Sequence, residues 1–333
     1  MADRPTAVLA MGADEVAAVL PPDIRARLAE LTNLAPGALT GALTTPDARS
    51  ALADAHLLIS GWGCPPLTEE VLDSAPRLQV VIHAAGSVKS LVTSAVWKRD
   101  IIVSSASDAN AGPVVDYTLA AIVFAAKRAL PTAASYATGW PAFTEREGAD
   151  GRTIGVIGAS RIGRRVIARL NATDHGHRVL LHDPYVTEAD ARALGAELVD
   201  LDTLCRTSSI ITVHAPQLPE TRHLLNATLL AFIPDGGTVV NTARGSLIDT
   251  AALGRECATG RLDAYLDVTD PEPLPAGHPL LSLPNVLVTP HVAGAQGSEV
   301  RRLGAYAVDE VVRFLRGDPL LGRLTDAELP RLA

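Results

Sequence analysis

The chain has 333 residues, 47% hydrophobic and 20% charged, enough for two domains with sizeable cores. Lys plus Arg number 29 against 37 Asp plus Glu, a net charge of −8, which argues against a nucleic-acid binder. Three scattered cysteines, Cys64, Cys205 and Cys257, form no CxxC pair, so neither a disulfide framework nor a metal site is expected, and a reducing cytoplasm is the simplest location.

The N-terminal MADRPTAVLAMG has too short an apolar run for a secretory signal. Thr6–Ala10, His56–Ser60, Leu78–His83 and Ile101–Ser104 read as strands, with helical periods between them at Asp23–Leu31 and Thr68–Ser74. Strands alternating with helices predict βαβ units and a parallel sheet. A long helix is expected over Pro113–Leu130, with Pro113 in its first turn and Pro131 ending it. Its apolar core from Val114 is interrupted by Asp116, Lys127 and Arg128 and falls short of a membrane span. Thr132–Gly151 reads as a loop-rich junction.

A second βα series follows, with strands expected at Thr153–Gly158, Arg178–His182, Ser209–His214, Thr238–Asn241, Ala264–Val268 and Val286–Thr289. The last helix carries a buried stripe of Val300, Leu303, Ala307, Val311 and Leu315, with Asp309, Glu310 and Arg313 mostly off it.

The first strand of this series runs into Gly158-Ala-Ser160-Arg161-Ile162-Gly163 and then a helix, a dinucleotide fingerprint with Ser160 in place of the middle glycine. Glycine there lets backbone approach a pyrophosphate; Ser160 adds a Cβ, and its hydroxyl is a potential phosphate donor. Asp183 lies twenty residues after Gly163 at a strand end, where an acid accepts from an adenosine ribose and repels a 2′-phosphate. The cofactor predicted is NAD.

Four further segments carry a family resemblance. Asn241-Thr-Ala-Arg244-Gly-Ser-Leu-Ile-Asp249, Asp267-Val-Thr-Asp-Pro-Glu272-Pro and Thr289-Pro-His291-Val-Ala-Gly closely resemble motifs of the D-2-hydroxyacid dehydrogenases, and Val213-His214-Ala215-Pro216 with Pro219-Glu-Thr-Arg222 is similar to another. With the fingerprint they cover Gly151 to Gly294 in family order; Ala84-Ala85-Gly86-Ser87-Val88 is a weaker match. Thr269 and Ser87 depart from residues frequent in the family.

The chemistry is coherent without the name. Reducing a 2-oxo acid needs a cation for the carboxylate, a proton donor for the carbonyl and a positioned nicotinamide. Arg244 offers a bidentate fork. His291 can give or take a proton near neutrality, and Glu272 can orient its imidazole. Singly, Arg244 is as well explained by a surface ion pair, His291 by a turn and Glu272 by a solvated loop; their joint occurrence after successive strands favours catalysis. The resemblance assigns the same roles. It also implies cofactor contacts from His214, Ala215, Pro216, Thr242 and Asp267, the last to the nicotinamide amide. Ala85, Gly86, Ser87 and Val88 are implied as substrate contacts beside Arg244 and His291.

The expected architecture is α/β, two doubly wound parallel-sheet domains: a Rossmann nucleotide-binding domain over 111–292 and a flavodoxin-like substrate domain over 1–110 and 293–333. The resemblance further implies an active cleft between them and a homodimer, with 132–151 as a candidate arm. No nucleic-acid or membrane partner is expected. Two other activities fit the same fold: an NAD(H)-sensing, corepressor-like binding module, and a dehydrogenase of formate or phosphite.

Overall fold

The computed structural model describes residues 4–136, 138–140, 142 and 147–329. The chain divides into two compact units, residues 1–112 with 295–332 and residues 113–294.

In the first unit β1 (Thr6–Ala10), α1 (Ala13–Val19), α2 (Pro22–Leu31), β2 (Asn33–Leu34), α3 (Pro46–Ala53), β3 (Leu57–Ser60), α4 (Glu69–Asp73), β4 (Val80–His83), α5 (Ser94–Trp97) and β5 (Ile102–Ser105) alternate along the chain. α6 (Ser107–Ala126) and α7 (Ala129–Tyr136) precede the second series. That series holds β6 (Thr153–Ile157), α8 (Arg161–Asn171), β7 (Arg178–His182), α9 (Glu188–Ala193), β8 (Glu197–Leu198), α10 (Leu201–Thr207) and β9 (Ile210–Val213). It continues through α11 (Ala227–Phe232), β10 (Gly237–Asn241), α12 (Thr250–Ala258), β11 (Leu262–Leu266) and β12 (Val286–Val288). α13 (Arg301–Arg316) and β13 (Arg323–Leu324) belong to the first unit.

The first unit's sheet has the order β13-β5-β4-β3-β1-β2. All pairs are parallel except β13 with β5. Apart from that antiparallel edge, it is the 2-1-3-4-5 order of flavodoxin-like folds. The second unit's sheet, β12-β11-β10-β9-β6-β7-β8, is parallel throughout. Its interior strands β9, β10 and β11 are buried on both faces, which is why they read as short, mainly apolar runs such as Ile210–Val213. The direction of winding reverses between β6 and β9, opening a crevice at their carboxyl ends. Both units are therefore doubly wound α/β structures.

Three expectations need correction. α6 starts at Ser107, so Pro113 is inside it rather than in its first turn. Pro131 does not end the helix: Arg128 does, in a left-handed conformation (φ 48°) with its Nε 3.4 Å from the buried carboxylate of Asp263. Pro131 instead falls in the first turn of α7, where its missing N–H costs nothing. α7 thus occupies the start of the stretch taken as loop; Ala137, Pro141 and residues 143–146 of that stretch lie outside the described residues. At 20 residues α6 is long and apolar enough, by length and composition alone, to cross a membrane. Here Val115, Ala121, Ile122, Ala125 and Ala126 are buried in a core with β6 and α8 residues.

On α13 the stripe is one residue shorter than expected. Val300, Leu303, Ala307 and Val311 are buried, but Leu315 is 39% exposed. Glu310, placed off the stripe, is buried: its carboxylate accepts from Ser104 Oγ and from the backbone N–H groups of Leu321 and Gly322, fastening the edge strand β13.

Candidate active site

The fingerprint turn sits at the reversal point of the second sheet. Gly158 has φ 96°, and a Cβ there would lie 2.6 Å from Ala215 N, so the turn after β6 is locked onto the turn after β9. A Cβ on Gly163 would lie 2.0 Å from Gly158 O, which fixes α8 against the turn. Ser160 is tolerated because its φ of −65° and ψ of 179° make it the N-cap of α8. Its Oγ accepts from Gly163 N at 3.4 Å, turning the oxygen back onto the helix and leaving the O–H proton to donate elsewhere. The helix end remains an anion-binding terminus. Asp183 follows β7; its Oδ2 accepts from Ala159 N at 2.7 Å and its Oδ1 from Tyr185 N at 2.8 Å. The acid is thereby fixed to the fingerprint turn itself. A locked turn, an anion-binding helix end and an adjacent carboxylate fit an NAD adenosine diphosphate.

The remaining sequence-identified residues follow β9 to β12. His214 is buried, with Nε2 2.8 Å from Thr212 Oγ1 and no partner for Nδ1 among the described residues. Burial pulls its pKa down to about 3, so the ring is neutral. Its side chain lies under the turn, with Cβ close to Gly163, while Ala215 packs on Gly158. Thr118 donates to Val114 O, so Thr242 must donate to Thr118 Oγ1 at 2.8 Å.

Arg244 sits in a loop built by Asn241, whose Nδ2 donates to Arg244 O and whose Oδ1 accepts from Ala243 N. The guanidinium also donates to Ala243 O at 2.6 Å. Burial depresses its pKa and the charge of Glu272 opposes this. Gly245 packs this loop onto the next: a Cβ there would lie 1.9 Å from the carbonyl carbon of Thr269. Neither Asn241 nor Gly245 was singled out from sequence, although both lie in the NTARG segment.

Glu272 Oε1 and His291 Nδ1 are 2.7 Å apart, with side chains 42% and 49% exposed. A carboxylate only accepts, so Nδ1 is the donor and Nε2 is the nitrogen left to exchange a proton. The other carboxylate oxygen, Oε2, accepts from Thr269 N at 3.3 Å. Asp267 is buried, and both its oxygens are engaged: Oδ1 accepts from Thr289 Oγ1 and Val292 N, and Oδ2 from Ala293 N. It therefore holds the loop bearing His291, a role the resemblance did not indicate.

In the sheet order, His291, Glu272 and Arg244 follow the adjacent strands β12, β11 and β10, and the fingerprint and Asp183 follow β6 and β7. Residues 119–293 match the family model described as "D-isomer specific 2-hydroxyacid dehydrogenase, NAD binding domain". The chain belongs to the D-isomer specific 2-hydroxyacid dehydrogenase family. Its second unit carries the family's NAD-binding domain.

The D-3-phosphoglycerate dehydrogenase of Methanocaldococcus jannaschii is 33% identical over 280 residues, covering 83% of this chain and 53% of the relative. The chain thus spans about half the length of the phosphoglycerate dehydrogenases it matches. The glyoxylate reductase of Korarchaeum cryptofilum is 30% identical over 76% of this chain and 78% of its own length. Among solved structures, the TT0316 protein of Thermus thermophilus superposes with a TM-score of 0.75 at 31% identity, covering 96% of this chain and all of that one.

The first unit holds the Ala85–Val88 segment directly after β4. Ala85 and Val88 are buried; Gly86 and Ser87 are partly exposed. Ser107 donates to Gly86 O at 2.7 Å, and Asn110 Nδ2 would lie 3.2 Å from a Cβ on Gly86. Beneath the segment, buried His83 pairs through Nδ1 with Ser60 Oγ at 3.0 Å. Burial lowers its pKa to about 4, against a hydrogen bond to the Ser87 backbone that raises it. His83 is a supporting residue of this loop, held in a neutral state.

Proposed function

We propose that the protein is an NAD-dependent oxidoreductase interconverting a 2-oxo acid and its D-2-hydroxy acid. The observation that carries this reading is the Glu272–His291 pair beside an arginine loop that Gly245 seats directly on the backbone of Thr269. Arg244 binds the substrate carboxylate and polarises the adjacent carbonyl. His291 Nε2 gives its proton to the carbonyl oxygen during reduction and takes one from the hydroxyl during oxidation. Glu272, accepting from Nδ1, sets the ring orientation and leaves Nε2 for the substrate. Bound NADH supplies the hydride. Asp183 selects NADH over NADPH, because a 2′-phosphate would meet a carboxylate already anchored at the fingerprint turn.

Ala85–Val88 is assigned to binding an anionic group through backbone N–H donors. A homodimer belongs to the same proposal, supported by exposed Phe124, Tyr136 and Trp140 on the second unit; so does a reducing cytoplasmic location, supported by three unpaired thiols.

The test is loss of NADH absorbance with purified protein across glyoxylate, hydroxypyruvate, pyruvate and branched, aromatic and phosphonate-bearing 2-oxo acids, with NADPH in parallel. Turnover by one group of acids, abolished in His291→Ala and Arg244→Ala, is expected. A variant of either residue with full turnover would overturn the assignment. Tight NADH binding with no turnover would favour the sensing module.

A further inference from the structure

His291 has φ 56°, a left-handed conformation that is strained for a non-glycine residue and persists only where its surroundings impose it. Three hydrogen bonds from backbone N–H groups to Asp267 impose it. Asp267 O accepts from His291 N at 2.9 Å, and the Asp267 carboxylate accepts from Val292 N and Ala293 N, each at 2.8 Å. The turn that aims the imidazole is therefore wrapped around one buried aspartate.

Its carboxylate has a further partner. Thr289 Oγ1 lies 2.6 Å from Asp267 Oδ1 and 2.7 Å from the hydroxyl of Tyr117. An ionised carboxylate has no proton to give, so Thr289 donates to Asp267, and its own oxygen must accept from Tyr117. The result is a one-way chain, Tyr117 O–H to Thr289 O–H to Asp267, from α6 to the His291 turn. Burial raises the Tyr117 pKa, against the hydrogen bond to Thr289 that lowers it, and the charge of Asp267 raises it further, so the phenol keeps its proton. α6 is a firm anchor, because Ile122, Ala125 and Ala126 are buried in the core with β6.

We propose that Tyr117 and Thr289 are positioning residues for His291, acting through Asp267. This inference rests on the catalytic reading of His291. Positioning of this kind shows in turnover more than in cofactor binding, since a misplacement of about 1 Å can cost about 100-fold in rate.

The experiment uses the full chain with Thr289→Val, Thr289→Ser and Tyr117→Phe. It combines steady-state kinetics with amide hydrogen exchange on the segment spanning residues 286–295. In Thr289→Val, kcat is expected to fall about 10-fold or more with KM for NADH within about two-fold, and exchange at Val292 and Ala293 to quicken about 10-fold. Thr289→Ser should restore both, because it keeps the hydroxyl. Tyr117→Phe should move both the same way by a smaller factor, and it carries the test should the valine variant not fold. Unchanged exchange and kcat in Thr289→Val and Tyr117→Phe would overturn the proposal, as would failure of serine to rescue. If the wild-type protein turns over no 2-oxo acid, the catalytic reading falls while the exchange data still decide whether the tether exists.

Discussion

His83 and His214 are buried neutral imidazoles, one in each unit, and they make stability depend on pH in a calculable way. Burial lowers their folded-state pKa values from 6.5 to about 4 and about 3. A group whose folded pKa is depressed contributes its full stability above the unfolded pKa and loses it as pH falls toward the folded value. The loss therefore begins near pH 6.5 and continues down to about pH 4 for His83 and about pH 3 for His214. At pH 5 both folded rings are still neutral while the unfolded ones are almost fully protonated. Each histidine should then cost about 2 kcal/mol at pH 5 relative to pH 8. That figure barely depends on the exact folded pKa, because pH 5 lies above both. The assay is urea unfolding at pH 8, 6.5 and 5, read by amide exchange in β4 for the first unit and β9 for the second. His214 bonds Thr212 through Nε2, so His214→Gln is the closest neutral mimic; His83 bonds Ser60 through Nδ1, so His83→Asn is. Each variant should lose about 2 kcal/mol of the pH 8 to pH 5 decline in its own unit and leave the other unit unaffected. If His214→Gln retained the full wild-type slope in β9, the buried neutral histidine would not be its source.

Gly245→Ala would place a methyl 1.9 Å from the Thr269 carbonyl carbon and push the Arg244 loop off the Glu272 segment. We expect kcat/KM for the 2-oxo acid to fall by about 10- to 100-fold with NADH affinity little changed, measured by steady-state kinetics and fluorescence titration. Asp183→Ala should erode the preference for NADH over NADPH in the ratio of their kcat/KM values; an unchanged ratio would remove Asp183 from the discrimination. Gly304→Ala would set a methyl 1.7 Å from Val19 O, where α13 crosses α1, and should destabilise the first unit by about 1–3 kcal/mol in urea unfolding.

What the sequence disclosed and what it concealed divide along physical lines. Interior strands such as β9 and β10 were legible because a strand buried on both faces favours a short run dominated by β-branched apolar residues. The fingerprint was legible because a tight strand-to-helix turn demands glycine at Gly158 and Gly163. The boundaries of α6 were not. Pro113 resembles a helix start, yet the helix runs through it. The true stop, Arg128, is held left-handed opposite Asp263, a partner 135 residues away. Glu310 misled for a similar reason: a charge on an amphipathic helix reads as solvated unless its partners, here Ser104, Leu321 and Gly322, can be foreseen. At the candidate site, residue types were legible and their mechanical supports were not. Asp267 is conspicuous in sequence, but its donors stand 22 to 26 residues further on.

The strand order of the second sheet explains why residues so scattered in sequence can serve one ligand. In a parallel sheet every strand delivers its following loop to the same edge, so chain distance does not matter and sheet position does. Asp183 follows β7 and Asp267 follows β11, four strand intervals apart, or about 19 Å at ~4.8 Å per strand. The fingerprint after β6 and the His214 turn after β9 lie within that interval, and Arg244, Glu272 and His291 occupy the last three strands, β10 to β12. On this edge Asp183 after β7 would hold an adenosine ribose and the N-terminus of α8 a diphosphate. The arginine, carboxylate and imidazole gather at the far end of the sheet.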